Sequence, residues 1–346
     1  MKKLLGVAAA TALMTCASAA HAARDYVWVA GSSTVFPFTT RVAENFSKKT
    51  GKKSPKVESL GTGGGFKMFC GGNGEGFPDV ANASRPMKKS EFEACKAKGV
   101  KDIVELKIGF DGIVIAMDKK APDYNFKLED LYQGVAQNAQ RNGQFVANPF
   151  KTWRDVNPSL PSNRILVYGP PPTSGTRDAW VELAIEGGAK RIPSAKALHD
   201  SDEKAFKSKV DPMRTDGGWI DAGENDNAIV GTITKTPGAL GVFGYSFLEE
   251  NANRIKGASV NGVKPTAVTI SNGTYPVSRS LYIYVKKANV GVTPGLKDFI
   301  KEYVSDAATG RGGYLAGRGL ILLPPVQHQA AKTAAEKLPA MAPPKS

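Results

Sequence analysis

Apolar and polar positions along the chain repeat one unit: a short apolar run, a turn of small and hydroxylated residues, then an amphipathic stretch. In "DYVWVAGSSTVFPFTTRVAENFSKKTGKK", Val27 and Val29 alternate with Tyr26 and Trp28, which predicts a strand. Phe38, Val42 and Phe46 then recur every four residues as one helix face, and Gly51 ends it. "KVESLGTGGGFKMFC" predicts a strand, a glycine-rich turn and a short helix, and "PDVANASRPMKKSEFEACKAKG" a strand, a polar turn and a helix. "RILVYGPPPTSGTRDAWVELAIEGG" repeats the theme, with Trp180, Leu183 and Ala184 as an apolar stripe and Gly187-Gly188 as the stop. "TPGLKDFIKEYV" places Leu296, Phe299, Ile300, Tyr303 and Val304 on one helix face. The repetition predicts an α/β fold with mostly parallel sheets covered by helices.

Two stretches break the rhythm. "IVELKIGFDGIVIAM" joins two strand-like runs through Gly109-Phe110-Asp111-Gly112, and "NGTYPVSRSLYIYV" is a second long extended run. Both have the length of a crossing between two domains. The first lobe is then discontinuous, residues 24–110 plus 278–330, and residues 111–277 form the second. A hinge is expected near Asp111–Gly112 and Tyr275–Ser278. The alanine- and proline-rich tail, 331–346, is expected to be loose.

The first 22 residues add a location. A basic end, an apolar stretch and the small-residue finish Ala20-His21-Ala22 predict a secretory signal peptide, 1–22, and an exported chain. Cys16 stands in a poor match to a lipoprotein box, so cleavage is preferred over lipid anchoring. Of the remaining cysteines, Cys70 and Cys95, an oxidising compartment favours one disulfide, with two buried free thiols as the alternative.

The formal charge of +14 falls to +12 when Lys2 and Lys3 leave with the leader, which favours anionic partners. Lysines such as those of "KKTGKK" scatter over helix surfaces, and no stripe of base-stacking aromatics accompanies them, which disfavours nucleic acid.

Three turns share one composition: "GSSTV", "GTGGG" and "TSGTR". Each follows a strand and opens a helix, where unpaired backbone N–H groups and the helix dipole favour an anion. Serine and threonine add hydroxyl donors, although the same residues are ordinary N-caps. Arg85 and Arg177 flank two polar turns, and a guanidinium can meet an oxyanion through two parallel N–H bonds. Catalytic patterns are lacking: His199 and His328 stand apart from metal-ligand spacing, and neither G-x-S-x-G nor H-E-x-x-H occurs. No cofactor, metal or catalytic residue is expected.

The ordered set "GSSTVFPFTTRVAENF", "ESLGTGGGFKMFC", "DVANASRPMKKSEFE", "IGFDGIVIAM", "PPTSGTRDAWVEL", "TPGALGVFGYSF" and "YPVSRSLYIYV" resembles the periplasmic phosphate-binding proteins of Pst-type ABC importers. The resemblance implies a two-lobed, type II periplasmic-binding-protein fold that binds inorganic phosphate and delivers it to a membrane permease. It implies a periplasmic monomer and no enzyme. Its phosphate positions fall on Ser33, Thr34, Val35, Thr62, Gly63, Ser84, Ser174, Gly175 and Thr176. The best-known branch has an aspartate at the position of Ser84 and an arginine at that of Pro170; this chain resembles a branch with "SRP" and "SGTR" instead. Arg177 is then the expected guanidinium, Arg85 a weaker one. Asp111 is the expected proton acceptor, with Asp178 behind it. Another oxyanion (sulfate, molybdate or a phosphonate), a phosphatase-like enzyme on the same scaffold and a surface adhesin are the alternatives.

Overall fold

The fold is taken from a computed structural model, which describes residues 24–223 and 225–344. The signal peptide, 1–22, and Cys16 lie outside the described residues. Two half-sheets share one strand. In the first, Lys56–Ser59, Trp28–Gly31 and Val80–Ala83 run parallel, and Ser278–Lys286 pairs antiparallel with Val80–Ala83. The two extended runs of the sequence pair with each other: Ser278–Lys286 lies antiparallel to the first part of Ile103–Asp118, with Ser278 opposite Gly112 and Arg279 opposite Asp111. A register shift between Leu281 and Tyr282 interrupts the ladder.

Beyond Gly112 the same 16-residue strand enters the second half-sheet. There it pairs antiparallel with Leu240–Gly244, which continues in parallel through Val167–Gly169 to Trp219–Asp221. The result is the two-lobed α/β architecture expected from the sequence, with helices on the sheet faces.

The helix faces follow the apolar spacing. Phe36–Thr50 buries Phe38, Val42 and Phe46, and Leu296–Tyr303 buries Leu296, Phe299, Ile300 and Tyr303. Phe46 and Phe299 meet edge to face at 5.8 Å, and Thr39 shares a 2.9 Å hydrogen bond with Tyr303. Early and late parts of the chain are thereby locked into one core. Asp79, fully buried, adds a polar tie: its carboxylate accepts from Arg24 (2.7 Å), Asn289 (2.7 Å) and Thr293 (2.8 Å). No helix of the described residues is long and apolar enough to cross a membrane.

Cys70 and Cys95 form a disulfide joining the end of helix Gly61–Phe69 to helix Lys89–Ala97. The bridge closes a loop of 25 residues in sequence separation, worth about 3 kcal/mol as a restriction of the unfolded chain. Reduction is therefore expected to lower the melting temperature by several degrees. Calorimetric scans with and without reductant check this, and an unchanged melting temperature would contradict it.

Two expectations need correction. Gly187-Gly188 does not stop its helix. The chain runs from Gly175–Trp180 through a π-helical turn, Val181–Glu186, to Gly187–Ala189. Gly188 is instead a contact: a Cβ there would lie 2.2 Å from the Leu128 carbonyl oxygen, so glycine lets this helix press against Leu128–Val135. The tail is not loose where it is described. Pro325–Lys337 is a helix, crossing the expected 330/331 boundary, and it buries His328, Ala331 and Ala335. Proline suits the helix start, and the alanines sit close enough to pack against the body. Lys301–Glu336 (2.6 Å) and Lys332–Asp306 (2.8 Å) pin its outer face.

Candidate functional site

All three hydroxyl-rich turns reach the cleft between the half-sheets. Ser32–Val35 leaves Trp28–Gly31 and opens helix Phe36–Thr50. Its N-cap, Val35, has no side-chain cap, and no acid stands in the first turn. Helix Gly61–Phe69 starts in the same way, uncapped after Leu60, with Thr62 and Gly63 in its first turn. The glycines expected in a turn thus belong to the helix itself. Several other helices are capped by their own residues, Thr152, Asp202, Asn225, Thr266 and Ser305 among them, while others away from the cleft, such as Leu296–Tyr303 and Pro325–Lys337, also start without a side-chain cap. At the first of the two cleft helices the Val35 N–H makes a long 3.4 Å bond to Ser32 Oγ; the two N-termini otherwise turn backbone donors towards the cleft for an outside acceptor.

Side chains then draw the turns together. Thr62 and Ser84 share a 2.9 Å hydroxyl hydrogen bond, and the Ser84 N–H donates to Thr62 Oγ1 at 3.1 Å. On the opposite wall, Ser174 caps helix Gly175–Trp180 by accepting from the Thr176 N–H at 3.2 Å. Thr34 Oγ1 donates across the cleft to the Gly175 carbonyl (3.1 Å), and Ser33 Oγ donates to Asp178. The backbones approach at Gly175, where a Cβ would stand 2.7 Å from the Ser33 carbonyl oxygen. Gly175→Ala is expected to hold the cleft ajar and weaken ligand binding about tenfold, with little change in thermal stability. Ligand titration beside a melting curve separates the two effects.

Two cavities flank this contact. The larger, about 1090 Å³, is lined by Ser33, Thr34, Thr62, Gly63, Ser84, Arg85, Arg177, Asp178, Glu182 and Arg279, among others. The smaller, about 390 Å³, is lined by Ser33, Thr34, Asp111, Ser174, Gly175 and Thr176.

The charges are arranged differently from the sequence-based expectation. Arg177 is engaged elsewhere: its Nη1 donates to the Pro170 carbonyl and to Asp221, both at 2.7 Å, and the guanidinium lies 4.7 Å from the Trp219 ring centre. Burial pushes the Asp221 carboxyl up, but hydrogen bonds from Arg177 and Trp219 outweigh it and hold the group below the usual carboxylate range. Arg85 is clamped by both oxygens of Glu91, at 2.8 and 2.9 Å, on the rim of the larger cavity.

The guanidinium placed among the turns is that of Arg279, on the return strand, with its side chain 7% exposed. Its Nη2 donates to Thr34 Oγ1 at 2.7 Å and its Nη1 to Glu182 at 2.5 Å. Its Nε faces Asp111 Oδ2 at 3.6 Å, and neither of these two buried atoms has a hydrogen-bond partner. Burial raises the Asp111 carboxyl above its ordinary value, while the nearby Arg279 pulls it down less strongly. Arg279 and Glu182 were missed from the sequence. The available signal was the pair of extended runs: a charged residue in one, next to the expected hinge, implies an opposite charge facing it in the other.

Among the described residues, no group of three His, Cys, Asp or Glu side chains is placed to hold a metal ion.

Comparison with known proteins places this geometry in context. A profile of the PBP superfamily domain matches residues 17–307. The protein SphX of Synechococcus elongatus is 34% identical over 315 residues, covering 88% of this chain and 80% of SphX. The phosphate-binding protein PstS of Staphylococcus saprophyticus is 31% identical over 306 residues, covering 85% of this chain and 79% of PstS. Among solved structures, a possible phosphate binding protein from Planctomyces limnophilus superposes with a TM-score of 0.71 at 28% identity, covering 91% of this chain and 99% of its own. An ABC-type phosphate transport receptor from Vibrio cholerae, at 18% identity and a TM-score of 0.59, shares the fold; the match covers 86% of this chain and 100% of that one.

Proposed function

Because the chain belongs to the PBP superfamily and, within it, to the family of the PstS and SphX proteins, we propose that it binds inorganic phosphate in the cleft and delivers it to the membrane permease of an ABC importer. One observation carries the assignment beyond family membership. A nearly buried guanidinium, Arg279, stands among hydroxyl-bearing turns, lining one cavity with the starts of two helices. Such a set offers charge and many donors, which suits a tetrahedral oxyanion.

In this reading Ser33, Thr34, Thr62, Ser84, Ser174 and Thr176 donate hydroxyls, and Val35, Gly63 and Gly175 present backbone N–H groups. Arg279 supplies the main charge. Arg177 shapes the Pro170–Ser174 turn from behind, and Arg85 stays with Glu91 at the rim. Asp111, with an unpartnered carboxylate oxygen, accepts the proton that phosphate keeps at neutral pH. The lobes, 24–110 with the return segment from 278, and 111–277, close about Asp111–Gly112 and Tyr275–Ser278. The chain binds its ligand without covalent chemistry, works as a monomer outside the cytoplasm and needs no nucleic acid.

Calorimetric titration of phosphate-stripped protein tests the function. Saturable one-site binding of phosphate, not displaced by sulfate at neutral pH, is expected. Tighter binding of sulfate or molybdate would replace the ligand, and silence towards every oxyanion would end the reading.

A further inference from the structure

Within the cleft Arg279 already has an anion. Glu182 reaches it from the opposite wall, Oε2 to Nη1 at 2.5 Å. The carboxylate comes from the π-helical turn Val181–Glu186, which continues the helix opened by the Ser174–Thr176 turn. Such wide turns occur often at functional sites. The two partners differ in setting: the Arg279 side chain is 7% exposed and that of Glu182 43%. A desolvated guanidinium needs a counter-charge, and Asp111 alone is a poor one, since burial favours its neutral form and its oxygen is 3.6 Å away.

We propose that Glu182 is an internal substitute anion, which holds Arg279 and draws the walls together without ligand and is displaced when an oxyanion arrives. The proposal rests on the reading that an oxyanion docks on Arg279. Charge balance is the argument. A phosphate dianion and the Glu182 carboxylate would compete for one buried guanidinium, so the more exposed carboxylate leaves. Its destination is at hand: the Glu182 side chain is already 43% exposed and can turn to solvent, while Arg85 stays in its Glu91 clamp. Glu182 thus stabilises the ligand-free state alone and lowers apparent affinity, making it a determinant of how tightly the site binds.

The test uses full-length mature protein and the variants Glu182→Gln and Glu182→Asp, stripped of phosphate, with two readouts. The first needs no ligand: small-angle scattering or a spin-label pair across the cleft should report a more open Glu182→Gln protein. The second is titration with inorganic phosphate, where Glu182→Gln should bind roughly tenfold more tightly. Glu182→Asp, too short to span the gap yet still charged, should fall between. Weaker phosphate binding by Glu182→Gln would make Glu182 a ligand and overturn the proposal, as would unchanged opening and unchanged affinity. If the wild type binds no phosphate at all, the functional reading fails. The opening measurement then still judges the Glu182–Arg279 contact on its own.

Discussion

Arg279→Ala is expected to lower phosphate affinity by two to three orders of magnitude, while the protein stays folded. Removing one member of a buried charge pair costs about 2–5 kcal/mol, because the other charge is left desolvated and unpaired. Arg279 has the required setting: its side chain is buried, bonded to Thr34 and opposite Asp111. Arg177→Ala and Arg85→Ala give the contrast. Arg177 is bound to Pro170 and Asp221 and stacked on Trp219, so its loss should relax the turn, lowering melting temperature as much as affinity. Arg85 is held in its Glu91 clamp at the cavity rim, and its loss should cost less than tenfold. Titration of the three variants, each checked by circular dichroism, ranks them. Arg279→Lys guards against misfolding, since it keeps the charge but loses the fork that reaches Thr34 and Glu182 together. Abolished binding in Arg177→Ala with intact binding in Arg279→Ala would reverse the assignment.

The way Arg279 escaped detection marks how far the sequence speaks. Local patterns carried well: Phe38, Val42 and Phe46, and later Leu296, Phe299, Ile300 and Tyr303, are buried faces because 3.6-residue spacing leaves them no alternative. The three hydroxyl-rich turns were legible because each lies between a strand and a helix, and the disulfide because two cysteines remain after the leader. What failed was long-range pairing. Arg279 gains its place from the register that sets it opposite Asp111, 168 residues earlier in the chain, within a ladder that shifts nearby. The commitment of Arg177 depends on Asp221, 44 residues away, and on Trp219 beneath it. Glu182 needed the π-turn, which rotates residues off the faces that a regular helix predicts. Pro170 carries the point in miniature. Its side chain lacks the charge found there in the better-known branch, yet its carbonyl is what holds Arg177.

Asp111→Asn should bring the other large effect, a collapse of discrimination between phosphate and sulfate. Phosphate at neutral pH offers an O–H that an ionised carboxylate accepts, whereas sulfate offers only lone pairs and is repelled. Asparagine presents an N–H₂ that suits sulfate and a weaker acceptor for phosphate. A site built around one hydrogen bond rejects an analogue lacking it by up to about 10⁴-fold, so most of that margin should vanish. Competition titrations in both anions measure it. The pH dependence has a definite sign. Burial raises the Asp111 carboxyl, so lowering the pH through that raised value protonates it and turns an acceptor into a donor. The wild type should begin to admit sulfate in acid, and Asp111→Asn should show no such onset. Stability follows the same linkage. A carboxyl raised on folding stabilises fully below its unfolded value of 3.8, and that contribution is lost as pH rises through the folded value. Above that folded value the ionised group burdens the fold, so there Asp111→Asn should melt higher than the wild type while binding less selectively. A variant that still excludes sulfate would remove Asp111 from the ligand set and leave Asp178, bound to Ser33 at the same cleft, as the carboxylate to test.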